Sequence, residues 1–193
     1  MAMTDRPVIM LLPYSSCSGL ELFGLRYARD LIDRGHNAVV AAPADSLIAQ
    51  QCADRGIGLY PFPVTTKYEL VSYPAAYTML KKLQPAAVVA FRTQMMYPVH
   101  MARLLTGQHL QFFLFYRIGA GALYRKDPLH RCLFNNLAAV VPNADYVRER
   151  ILKYWGIKGD KVCCIKSGVD TIKYNSNPEA RDKLRKELGL ADD

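Results

Sequence analysis

The sequence lacks both glycine-rich loops by which nucleotide-binding chains are most often identified. Its 193 residues contain neither GxGxxG nor GxxxxGK[ST], so the dinucleotide fingerprint and the P-loop are both absent. No apolar run approaches the roughly 18 residues that cross a bilayer. The apolar run after Pro7 is short and ends at Pro13, so we also expect no signal peptide.

Cysteine occurs in no recognisable pattern. There are five cysteines, an odd number, without a CxxC pair or metal-ligand spacing. This usage predicts a reducing compartment and a cytoplasmic protein. We interpret the adjacent Cys163 and Cys164 as small core residues or free thiols rather than a redox device. No carboxylate or histidine cluster has ligand spacing either, so we expect no metal and no cofactor.

The opening of the chain predicts a strand, a small-residue loop, a helix and a second strand. Val8 to Leu12 is a short apolar run typical of a buried parallel strand. The loop 15–19 follows, and apolar residues then recur at three- and four-residue steps until Gly35. Ala38 to Ala42 is the next strand. In such a βαβ unit, the loop before the helix is where phosphate groups bind.

The same alternation continues to about residue 165. Proline residues limit the strand 57–62 to an edge or end position. Further helices are predicted over 46–55, 73–83, 96–106, 128–137 and from an Asn143 cap, and further strands over 86–91, 110–116, 138–141 and 162–165. The fold class is therefore α/β, a doubly wound and mostly parallel sheet of the Rossmann-like type.

The C-terminal segment differs from the rest of the chain. Asn177-Pro178 starts a helix that Gly189 ends, and this helix has only a thin apolar seam among many charges. Such a helix needs another surface to pack on. We therefore divide the chain into a Rossmann-like domain, 1–165, and a linker and helix, 166–193, that lead to a missing C-terminal domain.

Positive charge is concentrated in the middle of the sequence. The formal net charge is +8, and residues 92–131 hold six Lys or Arg against one Asp. Such a concentrated field favours an anionic ligand, a phosphorylated substrate or an anionic membrane surface. A solvated basic face with no partner is the alternative.

Candidate site residues follow the predicted strands. Tyr14, Arg92 and Arg117 come directly after the first, fourth and fifth strands, at the sheet edge where ligands bind in such folds. We assign these three to acceptor or anion binding. Lys126 and His130, in the same basic segment, are given the same role, although surface solvation also explains His130.

The loop before the first helix has two interpretations. Ser18 and Glu21 have the spacing of a capping box, which explains both residues without a ligand. Gly19 either leaves bare backbone at the helix N-terminus, where a diphosphate can approach, or serves only the turn.

Three separated segments resemble one family. They are SGLE with RGHNAVV (18–21 and 34–40), YVRERILKYWGI (146–157) and KVCCIKSGVDTIKYNSNPEARDKLRKELGL (161–190). In order and spacing they resemble glycosyltransferase family 4, of GT-B architecture. The resemblance covers nearly the whole chain and corresponds to the N-terminal domain and linker of that family.

The resemblance implies half of a retaining glycosyltransferase that uses a nucleotide-sugar donor, held mainly by the missing domain. Ser18 and Gly19 would form the donor phosphate loop, and Gly168 and Asp170 a hinge. The acceptor would be an anionic or lipid-linked glycan. The segment KDPLHR resembles branches that make bacterial surface polysaccharide or lipopolysaccharide core. Arg117 stands where many members place a histidine, so the catalytic residues stay unassigned.

Two other functions remain open at this point. One is another nucleotide-dependent enzyme on the same fold, although no acidic residue ends the second strand. The other is a non-catalytic basic binding module, for which no nucleic-acid motif is present, so we expect no nucleic-acid partner. Peripheral contact with the inner membrane face and a homodimer through an exposed domain interface are further expectations.

Overall fold

The computed structural model describes residues 6–64, 70–117, 127–169, 171 and 177–190. Strands and helices alternate along this part of the chain, as the sequence predicts. The strands are Val8–Leu11 (β1), Ala38–Ala42 (β2), Gly58–Pro61 (β3), Ala87–Ala90 (β4), Gln111–Tyr116 (β5) and Ala139–Pro142 (β6). The helices are Gly19–Asp33 (α1), Leu47–Asp54 (α2), Ser72–Leu83 (α3), Met96–Thr106 (α4), Pro128–Asn135 (α5), Asp145–Tyr154 (α6) and Pro178–Glu187 (α7).

The six strands form one parallel sheet in the order β3-β2-β1-β4-β5-β6. The proline-limited strand β3 lies at an edge, as predicted. Chain order reverses between β1 and β4, where Val8 pairs with Ala38 on one side and Ala87 on the other. In open α/β sheets the crevice above such a reversal is the usual ligand site.

The core lies on both faces of this sheet because side chains alternate along each strand. Ile9 and Leu11 join a buried cluster that includes residues of α3, α4 and α6. Met10 and Leu12 join a second cluster that includes residues of α1 and α2. The doubly wound α/β prediction is confirmed.

Two local predictions are wrong. The predicted strand 162–165 is reduced to a single bridge between Val162 and Val140. The N–H groups of Cys163 and Ile165 donate to the carbonyl oxygens of Val140 and Pro142. Pro142 has no N–H to complete a second bridge, so the ladder stops after one. The predicted Asn143 cap is also displaced: α6 is preceded by Ala144, which makes no side-chain cap bond, and Asp145 supplies the negative charge of the first turn.

Helix α7 begins as predicted, since Asn177 Oδ1 accepts a hydrogen bond from the Ala180 N–H at 3.0 Å. None of its residues is buried, and Leu184 and Leu188 are 54% and 63% exposed. Among the described residues, none of the helices combines the length and apolar character needed to cross a membrane.

Candidate active site

Helix α1 packs very closely on the two strands that flank the reversal of chain order. A Cβ atom placed on Gly24 would lie 3.0 Å from both terminal methyl carbons of Leu12 and 3.2 Å from the Phe91 ring. Leu12 and Phe91 are fully buried and directly follow β1 and β4. The glycine at position 24 therefore lets the start of α1 approach the carboxyl ends of these strands.

Glu21 lies in the first turn of α1 and is fully buried. Its Oε2 accepts a hydrogen bond from the Ser18 N–H at 3.0 Å and another from the Ser18 hydroxyl. Ser18 and Glu21 thus form the predicted capping box. Most Glu side chains at this position are solvated, so full burial of a carboxylate requires a further explanation.

Arg92 supplies part of that explanation. Its Nη2 lies 3.7 Å from Glu21 Oε1, and its guanidinium carbon lies 4.3 Å from the centre of the Tyr14 ring. We call these three residues the Tyr14–Glu21–Arg92 cluster. The Arg92 side chain is 35% exposed, so it connects the buried Glu21 carboxylate with the solvent above the sheet.

Three buried atoms of this cluster have no hydrogen-bond partner among the described residues: Tyr14 Oη, Glu21 Oε1 and Arg92 Nε. A buried polar group without a partner costs about 1–3 kcal/mol. Burial raises the pKa of Tyr14 far above its usual value, Arg92 opposes this rise and Glu21 adds to it. The Tyr14 phenol is therefore a hydrogen-bond donor at any physiological pH.

Arg117 lies in different surroundings. Its guanidinium carbon is 3.5 Å from the centre of the Phe23 ring, and its Nη2 donates a hydrogen bond to Ser167 Oγ. Burial lowers the pKa of Arg117; Tyr27 raises it and Arg26 lowers it further. No carboxylate appears among these contacts.

A cavity of about 160 Å³ lies beside Arg117, between α1, the ends of β5 and β6, and the chain that follows β6. We call it the Arg117 cavity; its lining residues are Phe23, Tyr27, Phe115, Arg117, Val141, Ile165, Lys166, Ser167 and Gly168. Lys166 is neutralised by Asp145 at 2.7 Å, and that contact lowers the pKa of the Asp145 carboxyl. Among the described residues that line the cavity, Arg117 is therefore a cation that no carboxylate offsets.

A second cavity of about 370 Å³ lies at the carboxyl ends of β2 and β3 and includes Ser15, the residue after Tyr14. We call it the Ser15 cavity. Its other lining residues are Pro43, Ala44, Asp45, Ser46, Pro61, Phe62, Pro63 and Val64. Its volume is within the range of small-molecule pockets, which begins at about 300 Å³.

His130 makes contacts on both ring nitrogens. Nδ1 lies 2.6 Å from Asp127 Oδ2, and Nε2 lies 2.7 Å from the Tyr97 hydroxyl. The Asp127 carboxylate also caps α5 by accepting a hydrogen bond from the His130 N–H at 3.0 Å. These contacts tie α5 to α4 and explain His130 without a ligand, so its binding role stays a prediction.

The remaining predicted site residues divide into two groups. Gly19 and Gly168 have φ outside the left-handed region, and a Cβ on either would meet nothing within 4 Å. The turn therefore does not require glycine at position 19, which favours the ligand-approach interpretation. Lys126 and Asp170 lie outside the described residues.

The sequence does not predict three partners of these residues. The spacing of Ser18 and Glu21 indicates a cap and gives no sign that Glu21 lies against Arg92. Tyr97 lies 33 residues from His130, and no local pattern joins them. Nothing in the sequence indicates that Arg117 stacks on Phe23.

Comparisons with known proteins agree with this fold. The model of Glycosyltransferase Family 4 matches residues 18–173. A comparison with curated proteins gives no match. The matched segment begins at the capping box and includes Arg92, Arg117 and the Arg117 cavity.

Among solved structures, a glycosyltransferase from Rickettsia africae is 16% identical, with a TM-score of 0.77, over 97% of this chain and 50% of that one. HepE from Anabaena in complex with UDP-glucose is 18% identical, with a TM-score of 0.67, over 95% and 50%. The lipopolysaccharide outer core galactosyltransferase WaaB is 12% identical, with a TM-score of 0.63, over 85% and 46%. The chain thus spans about half the length of each of these structures.

Proposed function

Because this chain belongs to glycosyltransferase family 4, we propose that it is the acceptor-side domain of an enzyme that transfers a sugar from a nucleotide-sugar donor to a glycan or lipid-linked acceptor. The observation that carries the proposal is the Tyr14–Glu21–Arg92 cluster. In this cluster, two donor atoms and one acceptor atom without hydrogen-bond partners lie where the strand order reverses. An open α/β sheet binds ligands at that point.

The donor nucleotide is held mainly by a second domain that this chain does not include. The solved structures that it matches are about twice its length, which supports this division. HepE forms complexes with UDP and with UDP-glucose, and we extend a nucleotide-sugar donor of that class to this protein. The donor diphosphate approaches the Ser18–Gly19 loop, where α1 offers free backbone N–H groups.

Arg117 has a role when the leaving group departs. Cleavage of the bond between sugar and nucleotide leaves negative charge on the terminal phosphate oxygen of the nucleotide. A fixed cation that needs no reorganisation stabilises such charge. Phe23 and Ser167 hold the Arg117 guanidinium in place, and a movement of the second domain about residues 166–173 brings the diphosphate to it.

Finer assignments complete the proposal. Retention of configuration follows from the family resemblance. A role in surface polysaccharide or lipopolysaccharide synthesis is supported by the likeness to WaaB and by the basic segment 92–131. That segment also suits a cytoplasmic enzyme in peripheral contact with an anionic membrane, where lipid-linked acceptors reside.

The test is a transfer assay on the full-length protein with a panel of nucleotide sugars, including UDP-glucose, and a pool of glycan and lipid-linked acceptors. We expect nucleotide release that depends on both substrates. Arg117→Gln should lower kcat by roughly 100-fold. Arg103→Gln is the matched control, because Arg103 lies in the same basic segment but lines a cavity at the amino ends of β4 to β6.

Two results would contradict the proposal. One is the absence of transfer from every donor together with tight binding of NAD, which would indicate a different nucleotide-dependent enzyme. The other is an equal loss of kcat in Arg117→Gln and Arg103→Gln, which would mean that the basic segment acts only through its overall charge.

A further inference from the structure

The unpartnered atoms of the Tyr14–Glu21–Arg92 cluster define what a ligand must offer there. Tyr14 Oη and Arg92 Nε carry hydrogens to donate, while Glu21 Oε1 has lone pairs to accept. All three atoms are buried, and Glu21 has no exposed surface at all. A suitable ligand therefore presents acceptors and a donor close together.

The charge of the cluster further restricts which ligands can bind there. The Glu21 carboxylate and the Arg92 guanidinium approach to 3.7 Å, and the Tyr14 phenol is neutral, so the cluster carries no net charge. A phosphate or carboxylate bound to Arg92 would bring a second negative charge close to the buried Glu21, which is unfavourable. Adjacent hydroxyl groups have no such penalty, because each hydroxyl both donates and accepts.

We propose that the Tyr14–Glu21–Arg92 cluster is a subsite for adjacent hydroxyl groups of an uncharged sugar ring, and that Glu21 excludes anionic groups from it. This inference rests on the proposed function, since it specifies the acceptor chemistry of that site. Of the two roles that the sequence suggests for Arg92, acceptor or anion binding, it keeps only acceptor binding, because Glu21 offsets the charge of Arg92. Anionic groups belong instead beside Arg117, where the part of the lining that the structure describes contains no carboxylate.

A ligand reaches the cluster from the side of Arg92, because the Arg92 side chain is 35% exposed while Glu21 is not exposed. The Ser15 cavity, of about 370 Å³, lies at the carboxyl ends of β2 and β3, and its lining residues do not include Tyr14, Glu21 or Arg92. The proposed sugar ring therefore lies over Arg92, outside the Ser15 cavity.

The test uses the 193-residue chain, isotope-labelled for NMR, with three probes: methyl α-glucoside, methyl α-galactoside and inorganic phosphate. In the wild type we expect at least one glycoside to shift the Arg92 Nε–H resonance and the amides of residues 14–21. Phosphate should shift Arg117 and Ser167 at lower concentrations than it shifts Arg92.

Glu21→Gln removes the negative charge and leaves an amide oxygen that can still accept from Ser18. We expect its glycoside affinity to fall about tenfold, while phosphate begins to shift Arg92. A gain of phosphate binding at this position is a result that simple loss of structure does not produce. Asp33→Asn is the matched control, since it removes one negative charge from the exposed side of the same helix and should change neither ligand.

Tyr14→Phe provides a second, charge-neutral test if Glu21→Gln does not fold. It removes an unpartnered hydroxyl, so the protein should stay folded while glycoside affinity falls about fivefold. The inference is overturned if no glycoside binds the wild type at 100 mM, if phosphate shifts Arg92 before Arg117, or if neither variant alters glycoside affinity. Such a failure, together with normal sugar transfer by the full-length protein, would leave the glycosyltransferase proposal intact.

Discussion

Replacing Gly24 by alanine tests how tightly α1 must approach the strands that carry the site. The added Cβ would lie 3.0 Å from two carbon atoms of Leu12 and 3.2 Å from Phe91. Both neighbours are fully buried, so neither side chain can move away without displacing the core. Overpacking of this kind costs about 1–3 kcal/mol.

The helix propensity of alanine opposes this overpacking cost. Alanine in a helix interior is more favourable than glycine by up to about 1 kcal/mol. We therefore expect Gly24→Ala to lower the free energy of unfolding by about 1 kcal/mol, with a range of about 0 to 2. For a chain of this length that corresponds to a fall in Tm of about 2–4 °C.

The assay is urea unfolding followed by circular dichroism, with Gly19→Ala as the matched control. Gly19 begins the same helix, and a Cβ there would meet nothing within 4 Å, so its unfolding free energy should change little or rise. A stability increase of about 1 kcal/mol in Gly24→Ala would refute the reasoning, because it would show that helix propensity alone decides the outcome.

Three further predictions concern other parts of the chain. Burial lowers the pKa of His100 to about 4, so the folded state resists protonation. The contribution of His100 to the free energy of unfolding should be complete above pH 6.5 and should fall by roughly 1.3 kcal/mol between pH 7.5 and 5.5. In urea titrations at both pH values, His100→Gln should remove that part of the pH dependence of stability. An unchanged pH dependence would contradict the assignment of this effect to His100. Asp127→Ala should lower the unfolding free energy by about 1 kcal/mol through loss of the α5 cap, whereas Asp127→Asn should retain most of that stabilisation. Equal losses in the two variants would mean that the side-chain contact with His130, rather than the cap, stabilises the protein. Arg117→Gln should weaken pyrophosphate binding, measured by calorimetry, by about tenfold, and unchanged affinity would show that the anion binds elsewhere.

Much of the fold follows from local patterns. The alternation of apolar strands with amphipathic helices predicts the α/β class, because the two periodicities are set by backbone geometry over a few residues. Helix ends are equally local: Gly107 and Gly156 follow α4 and α6 in the left-handed conformation that glycine favours. The Asn143 cap failed because Asn143 and Ala144 lie side by side, and only the backbone angles select the cap position.

The contacts within the candidate site, unlike the fold, do not follow from local patterns. The sequence predicts that Tyr14, Arg92 and Arg117 lie at the carboxyl ends of strands, since this needs only the strand assignments. It does not predict that Glu21 is buried against Arg92, because that contact depends on which strands are neighbours and how closely α1 packs on them. The sequence by itself therefore determined the elements, the family and the candidate residues. Only the tertiary structure decided that Arg92 lies against a buried carboxylate, whereas the described residues that line the Arg117 cavity include none. Burial and charge pairing of this kind arise between residues far apart in the chain.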